Sequence, residues 1–183
     1  MKRGLTLVEI LVSITIFLVL SGILMSVFAN SKRRALIESS CSRLKQLHLA
    51  VMMYHADEGG PGDYGTASDM NLPDLTYVAS TRLGFSEEMW HSPCGWNPQA
   101  LPSPDVRSYQ YAPEDSQAYA DYARVYKEKS VVFIDESCDD SGVPPSARYV
   151  RHFGLGILLD GQLVRKRSRG NMGSLYWWST PEQ

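Results

Sequence analysis

The strongest constraint on this chain is an apolar run near its amino terminus. Residues 5–28 contain a single charged side chain, Glu9, and no proline. A helix rises about 1.5 Å per residue, so this run reaches about 36 Å, enough to cross a hydrocarbon core of about 30 Å. A secretory signal peptide has an apolar region of only about 7–15 residues, so a removed signal is the weaker interpretation, although Val27-Phe28-Ala29 loosely resembles a cleavage site. The run predicts a membrane-spanning helix.

Glu9 is an unusual residue for such a run. An ionisable group inside an apolar span costs a few kcal/mol and usually marks a function. The alternative is that Glu9 lies about one turn inside the membrane and reaches the headgroups, in which case the span is a plain anchor.

The residues around Glu9 resemble a processing signal. Lys2-Arg3-Gly4 followed by Leu5-Thr6-Leu7-Val8-Glu9 resembles the class III signal of type IV prepilins and type II secretion pseudopilins, although this leader is short. The resemblance implies that a prepilin peptidase cleaves between Gly4 and Leu5, that Leu5 becomes N-methylated, and that Glu9 acts in filament assembly. The implied partners are other pilin or pseudopilin subunits, an inner-membrane assembly platform and the membrane itself.

A helical pattern continues beyond the apolar run. Its apolar residues recur at spacings of three, four or one, as expected for one stripe of an amphipathic helix: Leu36, Ile37, Cys41, Leu44, Leu47, His48, Val51, Met52 and His55. Glycine and proline at 59–62 then end the helix at about residue 56. Ser26 stands where many pilins place a kinking proline, which suggests a straighter helix. We expect His48 and His55 to be partly buried and not metal ligands, because no acidic or cysteine partner completes a tetrahedral set nearby.

The remainder of the chain predicts a small antiparallel sheet. A β-branched and aromatic run at 130–135 is typical of a strand. Asp160-Gly161 between two apolar runs predicts a hairpin with a type I′ turn. Shorter elements are expected before these strands, at 72–78, 86–90, 108–111 and 118–126. The aromatic residues at 176–178 are expected to pack on the sheet rather than to form a binding platform.

These elements predict an α+β fold similar to the pilin lollipop, with a long amino-terminal helix and a head of three to five antiparallel strands. The predicted organisation is a leader at 1–4, a transmembrane or filament-core helix at 5–28, its amphipathic continuation at 29–56, and a globular head at 57–183.

Three cysteines allow one disulfide and leave one thiol over. A pair outside the cytoplasm tends to oxidise. Cys41 on the helix and Cys94 beside a proline resemble positions that occur together in the pseudopilin-like group, so the resemblance favours that bridge. A bridge between Cys94 and Cys138, and three free thiols, remain as alternatives.

An acidic cluster follows the strand at 130–135. Asp135, Glu136, Asp139 and Asp140 alternate with small residues, so several oxygens could converge on one hard cation. Calcium takes six to eight oxygen ligands from such loops, and a calcium site in a carboxyl-terminal loop of major pseudopilins supports this prediction by analogy. The alternative is a solvated acidic turn.

Net charge and motifs restrict the functional classes. With 18 basic and 20 acidic residues the net charge is -2, which gives no reason to expect nucleic acid as a partner. The sequence has no G-x-S-x-G, Walker or H-E-x-x-H motif. Ser137, His152 and Asp160 could be drawn as a catalytic Ser-His-Asp set, but nothing in their spacing supports one. No catalytic residue is therefore predicted, and an enzyme is not expected.

The function expected from the resemblance is that of a structural subunit of a type IV pilus-like or pseudopilus filament. Charges on the two sides of the span do not decide its orientation, so the resemblance alone places the head outside the cytoplasm, anchored in the inner membrane. A single-span binding module that does not polymerise is the main alternative, and a secreted hydrolase is a weaker one.

Overall fold

The computed structural model describes residues 7–60, 62–73, 86–95, 106–108 and 116–179, and the chain divides into two compact units, Met1–Leu36 and Ile37–Gln183. Helix α1 spans Leu7–Asp57 and so enters both units. The other helices of the described residues are 3-10 helices at Glu87–Trp90 and Lys127–Lys129, α2 at Ser116–Tyr126 and α3 at Leu175–Ser179. The strands are β1 at Val106–Ser108, β2 at Val131–Asp135, β3 at Arg151–Leu158 and β4 at Leu163–Arg169.

The long helix and the antiparallel sheet confirm the predicted α+β, pilin-like arrangement. In the described part of the chain the sheet has four strands in the order β1-β2-β3-β4, and every neighbouring pair is antiparallel. Strand β2 lies inside the sheet and is buried at all five positions, which explains its continuous apolar sequence. The predicted elements at 72–78 and 108–111 lie partly outside the described residues.

The first unit is a helix with apolar side chains on every side. Between Leu7 and Phe28 the large apolar side chains are all exposed, for example Leu7 at 79% and Phe17 at 69%. A helix that is hydrophobic all round requires lipid or other helices as its surroundings. The predicted apolar span is therefore a helix over all of its described length.

In the second unit, α1 packs on the sheet through the predicted stripe. Cys41, Leu44, Leu47 and Val51 are at most 3% exposed and belong to the same core as Phe133, Leu155 and Ile157. These four helix residues follow one another at spacings of three and four, so they lie on one side of the helix. Burial of this stripe supplies the apolar contact between helix and sheet.

His48 and His55 are half-buried at the side of this contact, as predicted. His48 Nε2 lies 3.0 Å from the carbonyl oxygen of Leu159, which joins the helix to the tip of the β3–β4 hairpin.

The predicted β3–β4 hairpin forms, but the predicted type I′ turn is wrong. The amide of Gly161 donates to the carbonyl of Leu158 at 2.9 Å, and the amide of Leu158 donates to the carbonyl of Gln162 at 3.0 Å. Gly161 has a φ of 81°, whereas Asp160 is not among the described residues with positive φ. A type I′ turn needs positive φ at both central residues, so the loop is instead a β-turn followed by a left-handed glycine.

Of the three carboxyl-terminal aromatic residues, the two tryptophans pack on the sheet as predicted, whereas Tyr176 is 52% exposed. Trp177 and Trp178 are about 5% and 4% exposed. The ring of Trp178 lies over β3, where a Cβ on Gly154 would come within 2.5 Å of Trp178 Cη2 and 2.8 Å of Met172 Sδ. Glycine at this position of β3 therefore makes room for the tryptophan ring.

We expect Gly154→Ala to lower the free energy of unfolding by about 1–3 kcal/mol, because the added methyl overpacks the Trp178 site. The measurement is urea unfolding of the full chain in detergent. In a Trp178→Leu background the same substitution should cost clearly less, because the obstructing ring is gone. Equal costs in both backgrounds would contradict this packing.

Candidate functional site

The first candidate site is the amino-terminal helix that carries Glu9. Gly4 and Leu5, the predicted cleavage and methylation positions, lie outside the described residues. Glu9 lies in the first turns of α1 and is exposed. An 18-residue window of α1 has a mean hydropathy of 2.6 and none of it is buried, so by length and composition the helix can cross a membrane.

Two hydroxyl groups inside the apolar run have partners on the helix itself. Ser13 Oγ donates to the carbonyl of Glu9 at 2.7 Å, and Thr15 Oγ1 donates to the carbonyl of Leu11 at 2.8 Å. A polar group in hydrocarbon is costly unless it is hydrogen-bonded. These bonds allow the two side chains to enter an apolar environment and leave Glu9 as the ionisable group of the run.

The second candidate site is a buried polar cluster where α1 meets the sheet. The Asp135 carboxylate at the end of β2 has no exposed surface. It accepts hydrogen bonds from Ser40 Oγ of α1, from Ser92 Oγ at 2.7 Å, and from the amide of Ser137 at 2.9 Å. Donors from three separate segments converge on one carboxylate, so Asp135 fixes the helix, the 86–95 segment and the end of β2 to each other.

Two exposed contacts reinforce the same junction. Arg165 of β4 makes a bidentate ion pair with Glu38 of α1, at 2.8 and 2.7 Å. That hydrogen bond holds the pKa of Glu38 below its ordinary value. Arg43 of α1 donates hydrogen bonds to the carbonyl oxygens of Glu88 and His91. These bonds tie the 3-10 helix at Glu87–Trp90 to α1.

The disulfide joins Cys94 to Cys138, with their Cα atoms 4.9 Å apart, so the prediction of a Cys41–Cys94 bridge is wrong. Cys41 is a free thiol on the buried stripe of α1. Burial raises the pKa of this thiol, which disfavours the reactive thiolate. Cys138 lies in the turn after β2, where the Ser92–Asp135 contact brings the two loops together.

We expect non-reducing peptide mapping of the oxidised protein to recover one Cys94–Cys138 bridge, with Cys41 alkylated only after denaturation, because its sulfur is buried. Recovery of a bridge that contains Cys41 would contradict this arrangement.

Three of the four acidic residues predicted to bind calcium have separate hydrogen-bond or ion-pair partners. Asp135 is directed into the junction, and Asp139 accepts hydrogen bonds from His152, Ser141 and the amide of Phe153. Asp140 lies 3.4 Å from Arg167. Across the described ranges no group of three or more His, Cys, Asp or Glu residues is placed to hold a metal ion. Asp135 and Asp139 act as hydrogen-bond acceptors, and calcium binding stays a prediction.

His152 and Asp139 form a buried pair beside this loop. His152 has no exposed side-chain surface; its Nδ1 lies 2.6 Å from Asp139 Oδ2 and its Nε2 lies 2.8 Å from the carbonyl of Ala147. Burial opposes the charged imidazole, but acceptors at both nitrogens outweigh it and raise the pKa of His152. Burial also opposes the charged carboxylate, but four hydrogen bonds, from Ser141, His152 and two amides, hold the pKa of Asp139 below its ordinary value.

This pair predicts a defined pH dependence of stability. The lowered pKa of Asp139 gives a contribution that is present above its ordinary value of 3.8 and lost as the pH falls through the lowered pKa. The raised pKa of His152 gives a contribution that is present below its ordinary value of 6.5 and lost as the pH rises through the raised pKa. We therefore expect the free energy of unfolding to decline above pH 6.5 in the native chain.

The measurement is urea unfolding of the full chain in detergent across a pH series. His152→Gln should remove the decline on the alkaline side, and His55→Gln, a half-buried histidine outside this pair, should retain it. The same alkaline slope in His152→Gln and in the native chain would refute the assignment.

Neither the Asp135 cluster nor the His152–Asp139 pair was predicted from the sequence. The available signals were a serine at position 40, next to the apolar stripe, and an acid that directly ends a buried strand. Both features are common in sequences. Only the tertiary contacts show that these particular residues form a buried polar cluster.

The amino-terminal site lies in a segment that matches a known family. Residues 1–25 match the family model of the prokaryotic N-terminal methylation motif. The chain carries the prepilin-type cleavage and methylation motif of type IV pilin-like proteins. The matched segment contains Gly4, Leu5 and Glu9, which confirms the predicted resemblance, while the role of each of these residues stays a prediction. The comparisons with curated proteins and with solved structures give no match.

Proposed function

We propose that this protein is the precursor of a structural subunit of a type IV pilus-like or pseudopilus filament. In this proposal a prepilin peptidase cleaves after Gly4, Leu5 is methylated, and α1 enters the filament. The motif supports a pilin-like precursor, and proteins of this motif family are structural subunits. The helix and the motif are together consistent with membrane anchoring.

The observation that carries the proposal is the combination of the motif with a helix that is apolar on every side. A plain anchor needs lipid around it and nothing more. A filament subunit must leave the lipid, and its exposed apolar surface must then be covered by the helices of neighbouring subunits. The side chains of Phe17 and Leu18, at 69% and 65% exposed, provide such a surface.

Apolar contacts alone do not define the register between neighbouring helices, and in this proposal Glu9 defines it. The run from 5 to 28 contains no lysine or arginine. Cleavage after Gly4 creates a new cation at the same depth, the amino group of Leu5. A carboxylate in an apolar environment is strongly stabilised by an opposite charge, so staggered helices would place Glu9 of one subunit beside the Leu5 amine of the next. Apolar contacts supply adhesion, and this charge pair selects the register.

The head has a structural part in this proposal. The Ser40–Asp135 hydrogen bond and the Glu38–Arg165 ion pair hold the second half of α1 against the sheet. The Cys94–Cys138 disulfide and the Ser92–Asp135 hydrogen bond hold the 86–95 segment at the end of β2. Each subunit would enter the assembly with its helix and head already joined, and α1 would carry the head into the filament.

We expect Glu9→Val to be processed and to insert in the membrane normally but to be lost from filaments, because the charge that selects the register is gone. The matched control is Ser13→Val, which also removes a polar side chain from the run and should assemble as the native chain does. The measurement compares membrane fractionation, amino-terminal processing and sheared filaments from cells that express each variant. Normal filaments from Glu9→Val would remove the carboxylate from the mechanism.

Gly4→Glu tests the processing step separately. We expect full-length protein to accumulate in the membrane, because the glycine of the cleavage site is lost. Mass spectrometry of the mature amino terminus then distinguishes the candidate functions: methyl-Leu5 supports a filament subunit, intact Met1 supports a membrane-anchored binding module, and a terminus near Asn30 supports a secreted protein. Filaments that contain uncleaved Gly4→Glu protein would overturn the proposal.

A further inference from the structure

A cavity of about 470 Å³ lies in the head at the carboxyl end of α1. Small-molecule sites usually have volumes of about 300–1,000 Å³, so the cavity has the size of a ligand site. Four segments of the second unit form its wall: the last turns of α1, the 62–73 segment, the 3-10 helix at Lys127–Lys129 and the tip of the β3–β4 hairpin.

The more buried part of the wall is apolar. Met70 and Leu72 are 3% and 6% exposed, and Met52 and Leu159 are half-buried. Methionine side chains are flexible and polarizable, so they adapt to aromatic and irregular apolar groups. This part of the cavity therefore suits the apolar body of a ligand and not a hydrated ion.

The more exposed part of the wall carries polar side chains. Among the described residues, no hydrogen bond or ion pair engages the imidazole of His55, the hydroxyl of Tyr64 or the carboxylate of Glu128. By contrast, His152 and Asp135 use their polar atoms within the head. A few polar groups around an apolar cavity are the arrangement that orients a small ligand.

The charge at this rim favours a cation. Lys129 lies next to Glu128 in the chain, but its ammonium group lies 2.6 Å from Asp160 Oδ2. That pair neutralises Asp160, and within the described part of the head no ion pair joins Glu128 to either of the lysines beside it. The last turn of α1 also lies in the wall, and the carbonyl groups at the carboxyl end of a helix favour positive charge.

Hydrogen bonds hold the wall in place. The amide of Asp160 donates to the carbonyl of Glu128 at 3.1 Å, which joins the hairpin tip to the 3-10 helix. Asn71 Nδ2 donates to the carbonyl of Gly60 at 3.0 Å, which joins the 62–73 segment to the end of α1. A site whose wall is fixed before binding loses less conformational entropy when a ligand enters.

We propose that this cavity binds a small organic amine, in which an ammonium group is attached to an apolar, aromatic body. The body packs on the methionines, and the ammonium group pairs with Glu128 at the rim. The imidazole of His55 and the hydroxyl of Tyr64 accept its remaining N–H groups. This inference goes beyond the proposed function and does not depend on filament assembly.

A lysine side chain of another polypeptide has the same ammonium group but the wrong direction of entry. It would enter with its charge first and carry that charge toward Met70 and Leu72, where burial of an unpaired charge is costly. A free amine enters with its apolar body first and leaves its charge at the rim beside Glu128. The wall therefore favours the free amine.

The test is a methyl NMR titration of the full chain in phosphatidylcholine nanodiscs, with isotope-labelled methionine methyl groups and phenethylamine as the probe. We expect saturable shifts of the Met52 and Met70 signals, which Met52→Leu and Met70→Leu assign. Met53, an exposed residue of α1, reports non-specific contact. Shifts at Met52 and Met70 that do not saturate, or that are no larger than the shift at Met53, would overturn the proposal.

Two further probes separate the charge from the apolar body. Phenethyl alcohol keeps the ring and lacks the charge, and we expect it to bind about fivefold more weakly, as loss of a partly exposed ion pair would give. Ethylamine keeps the charge and lacks the ring, and we expect it to bind at least about tenfold more weakly, because the apolar wall stays unfilled. Equal affinities of phenethylamine and either probe would contradict the proposed ligand class.

A matched pair of variants tests the role of Glu128. Glu128→Gln should weaken phenethylamine binding about fivefold and leave phenethyl alcohol binding unchanged, because only the ion pair is lost. The control Glu88→Gln removes an exposed carboxylate from the 3-10 helix at Glu87–Trp90 and should retain the native affinity. Equal losses in both variants would remove Glu128 from the site.

A lysine peptide distinguishes the two sources of an ammonium group. Tighter binding of acetyl-Gly-Lys-Gly amide than of phenethylamine would make the cavity a docking site for a polypeptide and overturn the small-molecule proposal. Normal amine binding by a chain that forms no filaments would support this inference and contradict the proposed function alone.

Discussion

The structure depends on one helix that must satisfy two different surroundings. Between Leu7 and Phe28 its apolar side chains face outward on every side, and from Ile37 onward one apolar stripe is buried against the head. The first pattern needs a partner that surrounds the helix, and the second needs a partner on one side only. Hydrogen bonding within the helix satisfies the backbone in both surroundings, which is why a helix suits both lipid and a globular core.

At the point where the helix contacts the sheet, apolar packing alone would not define a unique position. Leu44, Leu47 and Val51 could shift along a smooth apolar surface at little cost, because the hydrophobic effect has no direction. Asp135 provides direction, since a buried carboxylate is costly unless its donors are in place. Ser40 and Ser92 meet that requirement in only one arrangement of helix and loop. The polar cluster therefore specifies the position that the apolar contacts stabilise.

Much of the fold could be predicted because it rests on local periodicity. The stripe at Cys41, Leu44 and Val51, the β-branched run of β2 and the Asp160-Gly161 loop each give their signal within a few neighbouring residues. The turn type could not be predicted, because Asp-Gly serves both a two-residue loop and a three-residue loop, and only the strand register decides between them.

The candidate site was predicted less completely, because its contacts join distant parts of the chain. Nothing in the local sequence distinguishes Cys138 from Cys41 as the partner of Cys94. The resemblance to the pseudopilin-like group favoured Cys41, which is the wrong cysteine. The acidic residues looked like one cluster because they are close in sequence. In the fold Asp135 is directed to the helix and Asp139 to His152, so adjacent carboxylates have separate partners. The motif around Glu9 could be predicted because it is defined by the sequence of adjacent residues.

The Cys94–Cys138 bridge has a consequence for where the head can complete its folding. The two cysteines are 44 residues apart, and the closed loop contains β1, α2 and β2. Closing a loop of this size removes unfolded-state entropy worth about 4 kcal/mol at 25 °C, a large share of the stability of a small domain. Thiols stay reduced in the cytoplasm and oxidise outside it. A head that emerges on the oxidising side of a membrane thus gains stability that it lacks during synthesis, which favours translocation as a loosely folded chain and opposes its return.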